Sequence, residues 1–202
     1  MLRVFAKCAA VFGLVWLIVL IWPAGQIRHA PGVLVKDEPI QTMITPFKMA
    51  PIKGYEIEAV ATYDITFRVL HTKHYFSAWG SDLVPIDVAG SWGRMSDQAV
   101  LDKLSISQSN RFYFYEWQGA PPLPPREINA HAANMHLIAG NSDVGRAIRK
   151  LRGGQVVRMQ GYLVNATKEG GCWRTSLSRT DSGDGACELF YVDQVTDCPT
   201  NT

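Results

Sequence analysis

Residues 55–70 read YEIEAVATYDITFRVL. Ile57, Ala59, Ala61, Tyr63, Ile65, Phe67 and Val69 share one parity; Glu56, Glu58, Thr62, Asp64, Thr66 and Arg68 share the other. A period of two places the first set on a buried face and the second on a wet one, the pattern of a β-strand. Sixteen residues is long for one strand, so a bulge or bend is expected to divide it.

Working outward, residues 111–117 (RFYFYEW), 133–138, 155–164, 173–178 and 187–195 read as further strands. Gly161, inside one of them, marks a tight bend or bulge. Two short helices interrupt the strands. Ser96 is placed to cap MSDQAVLDKL, with Asp97 in its first turn. Asn141 or Ser142 is placed to cap NSDVGRAIRKLR, whose Val144, Ala147, Ile148 and Leu151 make an apolar stripe before Gly153 and Gly154 stop it. The fold class is therefore mainly β, with two short helices.

The order helix, Gly-Gly, strand with a central glycine, then two more strands resembles the small β-barrels of the oligonucleotide/oligosaccharide-binding (OB) class, over residues 105–195. In that class a helix plugs the barrel between two strands. A jelly roll or open sandwich is the alternative. The whole chain also resembles the single-span envelope proteins of bacteria.

That second resemblance rests on the N-terminus. Residues 8–25 read CAAVFGLVWLIVLIWPAG, without a charge, and are long enough to cross a bilayer as a helix. Of the 20 basic residues, Arg3 and Lys7 precede this run; the other 18 balance the 18 acids, the first of which is Asp37. The net charge of +2 is thus an orientation signal: positive residues stay on the cytoplasmic side. A cleaved signal peptide would end in small residues, whereas Trp22 and Pro23 stand at the cut, and Trp22 suits an interfacial anchor. The expected layout is a cytoplasmic tail (1–7), a transmembrane helix (8–25), a Pro-rich stalk (26–54) and an extracytoplasmic β-rich domain (55–198). Pro31, Pro39, Pro46 and Pro51 are the reason for the stalk, although an arm packed on the domain fits the same residues.

With 47% hydrophobic and 19% charged residues in 202, the chain is neither a disordered tail nor a polycationic nucleic-acid binder. Four cysteines are too few for a disulfide-dense scaffold. Cys172 and Cys187 flank two expected strands, and a hairpin there would bring them together for a disulfide across the ladder; Cys198 is the other candidate partner for Cys187. No C-x-x-C spacing occurs, and His131 and His136 are five apart, on opposite faces of a strand. The sequence therefore implies no metal and no cofactor.

Candidate binding residues come from several places. Trp79 with Asp82 and Trp92 with Asp97 repeat the order Trp-Gly then Ser-Asp; exposed indoles stack on sugars or planar ligands, and the carboxylates accept from hydroxyls. The alternative is two turns with buried tryptophans. Gln108 and Arg111 lie where a polar run enters the aromatic strand, and Asn134 and His136 share one face two residues apart. Arg146, Arg149, Lys150 and Arg152, with Arg158 beyond, form a basic patch suited to anions, or are the solvated face of a helix.

These readings converge on a non-enzymatic binding module of the cell envelope, anchored in the inner membrane with its C-terminal domain in the periplasm or outside the cell. It would meet a protein partner or a cell-wall or secreted ligand. The alternatives are an envelope hydrolase using Ser107 or Ser109 with His131 or His136, and an anion- or nucleic-acid-binding barrel. Near-neutral charge makes nucleic acid the weaker partner.

Overall fold

The computed structural model describes residues 25–77, 79–178, 181, 183, 185–186 and 187–199. Nine strands form: β1 (Ile40–Lys48), β2 (Glu56–His74), β3 (Ile86–Ser91), β4 (Ser105–Ser109), β5 (Phe112–Glu116), β6 (Ala132–Ala139), β7 (Val156–Lys168), β8 (Gly171–Trp173) and β9 (Glu188–Asp197). Three short helices accompany them: α1 (Gln98–Leu101), α2 (Pro125–Ala130) and α3 (Ser142–Arg149).

β2 is the organising strand. Its expected buried parity is inside from Ile57 to Val69, and the ladder register shifts between Ala59 and Ala61. That bulge also buries Val60, and a second register shift, between Val69 and His71, falls where β2 pairs with β3. β1 pairs its first half, β3 its end, and β7 runs along it from Glu56 to Arg68. The other pairings are β3–β6, β6–β9 and β9–β7. Five strands therefore close on themselves in the order β2–β3–β6–β9–β7–β2, with β6 and β9 parallel and the other pairs antiparallel. Closure removes the exposed ladder edges that an open sheet would carry.

Tyr63, Ile65, Phe67, Met135, Met159 and Phe190 belong to the core cluster. Val144 and Ile148 of α3 belong to the same cluster, so the helix between β6 and β7 packs against the closed strands. Asn141 caps α3 as expected, its side chain accepting from the amides of Asp143 and Val144. At Gly161 the β7–β9 register shifts, and a Cβ there would lie 2.0 Å from the carbonyl oxygen of Tyr191. The glycine is required by that close approach.

Several expectations are corrected. Arg68 was placed on the wet face of β2 but is 1% exposed. The segment from Gly93 through α1 lies over it, and its guanidinium donates to the Ser96 carbonyl at 2.9 Å and to Gln98 Oε1. Burial lowers its pKa, opposed by the charges of Asp102 and Asp97. The helix cap there is Asp97, not Ser96, which closes a 3-10 turn over Gly93–Ser96. The expected strand 173–178 reduces to β8, which ends at Trp173. The proline run 121–126 feeds α2, with Pro125 in its first turn.

Residues 26–54 are not a free stalk. Ile27 donates to Gly153 O at 2.8 Å, Arg28 reaches both Asp102 oxygens at 2.9 Å, and the amides of Leu34 and Val35 donate to Ser96 Oγ. Val35 is buried, and residues 40–48 are strand β1. The expected span at 8–25 lies outside the described residues except for Gly25, and no helix among the described residues is long and apolar enough to cross a membrane.

Candidate functional site

The β4–β5 hairpin turns on Asn110 and Arg111, both at positive φ (50° and 70°). A two-residue turn of this kind favours Asn-Gly, so arginine in the second place costs backbone energy. Its contacts hold it there. The Arg111 amide donates to Tyr75 Oη at 3.0 Å, and its Nη1 donates to Val84 O at 3.1 Å and to Asp87 Oδ1 at 2.8 Å. The guanidinium lies 3.8 Å from the centre of the Tyr75 ring and 5.3 Å from that of Trp173. Among the described residues, its Nε and Nη2 have no hydrogen-bond partner, which leaves the ring faces to stabilise that edge.

Asp87 of β3 is fully buried, and His136 Nδ1 of β6 lies 2.9 Å from the same Oδ1. One carboxylate thus faces both a guanidinium and an imidazole. The His136 ring packs on Trp173 with centroids 4.8 Å apart. Behind it, His71 Nδ1 meets Gln108 Oε1 at 2.9 Å, Gln108 Nε2 donates to Asn134 Oδ1 at 2.5 Å, and Asn134 Nδ2 donates to Arg111 O at 2.8 Å. These amides fix the hairpin tip against β6. Cys187 Sγ lies 3.5 Å from Asn134 Nδ2, and burial pushes its thiol up to about 11.

Two loops cover this centre. The β2–β3 loop carries Trp79 and the β7–β9 connection carries Trp173, with ring centroids 5.6 Å apart. Each indole is seated on a glycine of the other loop. A Cβ on Gly171 would lie 2.6 Å from the Trp79 ring, and one on Gly80 would lie 2.7 Å from the Trp173 ring. The loops interlock through that exchange. Trp79, Arg111, Phe112, His136, Cys172 and Trp173 line the resulting cleft of about 450 Å³. Trp79 remains 59% exposed. The cleft offers indole faces for a planar or sugar-like body beside a buried charge cluster.

Of the residues singled out in the sequence, Trp79, Gln108, Arg111, Asn134 and His136 meet here. Trp92 does not: it is fully buried in the core. Asp97 caps α1 and accepts from the Gly32 amide; Asp82 accepts from Tyr55 Oη and Lys168 Nζ at 3.0 and 3.2 Å. The basic patch divides. Arg146 pairs with Asp143 and Arg158 with Asp64, while Arg149, Lys150 and Arg152 line a separate groove. Asp87, Tyr75 and Trp173 were missed. The signals for them were the Asn-Arg turn between two alternating runs, and the Trp-Gly/Gly-x-Trp reciprocity of Trp79-Gly80 with Gly171-Cys172-Trp173.

The Cys172–Cys187 disulfide is also corrected: Cys172, Cys187 and Cys198 are free thiols. Cys172 sits on β8, opposite Thr167 of β7, and β8 pairs with the end of β7 rather than with β9. The hairpin that would have joined the two cysteines does not form. Among the described residues, no hydrogen bond joins Ser107 or Ser109 to a histidine; His131 faces Glu127 O and Glu38, and His136 faces Asp87. No cluster of metal-ligating side chains occurs among the described residues. No family model, curated protein or solved structure matches the chain.

Proposed function

We propose that the chain is a membrane-anchored, extracytoplasmic binding module of the cell envelope, with an OB-type barrel and a ligand seat at the Trp79–Trp173–Arg111–His136 cleft. The strand order and the helix between β6 and β7 support the OB reading. In chain order β2, β3, β6, β7 and β9 take the places of the class's first to fifth strands. The loops carrying Trp79 and Trp173 then correspond to the two loops with which that class grips its ligands. The observation that carries the proposal is the interlock of these two indoles beside the strained, charge-paired Arg111. Structural strain at one residue, held by six contacts from the β2–β3 loop, β3, β6 and β8, fits a preorganised binding site. Saccharide- and peptide-bearing cell-wall material offers the flat apolar faces and hydrogen-bond acceptors that this cleft complements.

The test is a fluorescence titration of the full chain in detergent with soluble peptidoglycan fragments, and separately with single-stranded oligonucleotides. A saturable change for the fragments, lost in Trp79→Ala and insensitive to moderate salt, is the expected result. No response to the fragments, or an undiminished response in Trp79→Ala, overturns the ligand seat. A response to oligonucleotides alone, falling steeply with salt, replaces the cell-wall reading with the nucleic-acid one. Orientation is checked with a reporter active only in the periplasm, fused after Thr202; an inactive fusion refutes it.

A further inference from the structure

We infer that the face bearing the α3–β7 turn is a docking surface for anionic phospholipid headgroups, holding the barrel against the bilayer in a fixed orientation. The inference rests on the proposed membrane anchor at residues 8–25. The apolar run ends at Gly25, and the arm is fixed to the domain almost at once. Ile27 donates to Gly153 O at 2.8 Å and His29 Nε2 lies 2.7 Å from Gly154 O. A Cβ on Gly154 would lie 1.8 Å from the carbonyl oxygen of Ile27, so the arm occupies the space that any other residue there would fill. Two residues of extended chain reach at most about 7 Å. The polar headgroup zone of one leaflet is about 5–8 Å deep. An anchored chain therefore cannot carry this turn away from the membrane surface.

The chemistry of that face matches the position. A groove of about 950 Å³ opens there, with Gln26 on its rim. Arg28, Arg149, Lys150 and Arg152 line it, against one acid, Asp102, which Arg28 already engages. Arg149, Lys150 and Arg152 are exposed. Leu101 and Leu104, half-buried, contribute apolar surface to its lining. Residues 8–202 are neutral by count, yet three cations without an acidic partner in the groove are gathered next to the end of the proposed anchor. At an anionic surface each such residue is worth about fivefold in binding, within one Debye length of about 8–10 Å.

The experiment is amide hydrogen exchange on the full chain in lipid nanodiscs, made either of phosphatidylcholine alone or with added phosphatidylglycerol. Exchange at residues 26–29 and 149–155 should slow at least about fivefold when phosphatidylglycerol is present. The protection should vanish in Arg149→Gln/Lys150→Gln/Arg152→Gln and in high salt, while Arg146→Gln, outside the groove, keeps it. Equal exchange in both lipids, in a chain that still co-floats with vesicles at high salt, overturns the docking surface and leaves the anchor standing. A chain that does not co-float overturns the anchor and this inference with it. The same protection produced by inorganic phosphate on the detergent-solubilised chain makes the groove a small-anion site and overturns the bilayer assignment.

Discussion

Asp87→Asn tests the charge cluster beneath the cleft. The substitution keeps the volume and removes the charge from a fully buried side chain. Its Oδ1 stands 2.8 Å from Arg111 Nη1, whose side chain is 17% exposed. At that distance the attraction is about 6 kcal/mol for an effective dielectric constant of about 20. Much of this offsets the desolvation of both ions, so the whole figure is not the worth of the pair. Stranding the guanidinium is what costs, and breaking a buried pair costs about 3–5 kcal/mol. The asparagine can still accept one hydrogen bond, which places the loss near about 3 kcal/mol. Two ring faces already lie against the guanidinium and cannot replace the missing charge. The assay is denaturant unfolding of the full chain in detergent, followed by tryptophan fluorescence. Arg111→Met in the Asp87→Asn background removes the stranded cation. The double variant should therefore lose less than the two single losses added together, by at least about 1 kcal/mol. A loss below about 1 kcal/mol for Asp87→Asn, or strict additivity, refutes the reasoning.

Other expectations follow from single sites. Gly161→Ala drives a methyl group into the Tyr191 carbonyl at the β7–β9 bulge; it should cost about 3 kcal/mol, and an unchanged unfolding midpoint refutes it. Hydrogen bonding from Arg158 holds the Asp64 carboxyl below its ordinary value of 3.8, with Gln160 assisting against burial. A depressed folded value stabilises above the ordinary value, and this contribution is lost as pH falls through the folded one. Asp64→Asn should therefore flatten the acid limb of the stability profile, modestly because the pair is partly exposed, and an identical acid limb would count against the ion pair. Iodoacetamide at neutral pH should modify exposed Cys172 faster than half-buried Cys187, whose thiol is pushed up to about 11; equal labelling in the native state, read by mass spectrometry, contradicts this.

What the sequence disclosed depended on how many faces each segment buries. β2 was legible because one parity faces the core and the other mostly faces water or ionic partners. The pattern failed at Arg68, where a second layer covers the outer face, and a period of two cannot report a layer contributed by residues 93–104. β3 was missed for the same reason: all six of its residues are buried, so IDVAGS shows no alternation, and Asp87 within it looks like a turn residue. β1 was read as stalk because Pro46 interrupts it. At the edge of a sheet a proline is tolerated, and here it falls within the irregular register between Met43 and Phe47. The cap at Asn141 was legible because capping chemistry is local.

The site divides along the same line. Arg111, Asn134 and His136 were visible as polar groups in or beside apolar strands, each an exception within its own segment. Asp87 and Trp173 were not, because their meaning comes from partners 24 to 94 residues away that only ring closure supplies. β6 lies between β3 and β9, and the parallel β6–β9 pairing has no hairpin to announce it. That pairing places the start of β9, and with it Cys187, beside Asn134, and sends β7 across to the far side of β9. The disulfide expected from a simple hairpin and the cleft that exists instead are therefore two outcomes of one topological fact. The edge of β7 opposite β2 carries β9 along 157–163 and β8 at 166–168, so the segment that carries Trp173 pairs with the end of β7 rather than with β9, and there it meets Trp79. A variant that weakened the β7–β9 pairing, as Gly161→Ala does, should for this reason disturb the indole pair before it disturbs the hydrophobic interior.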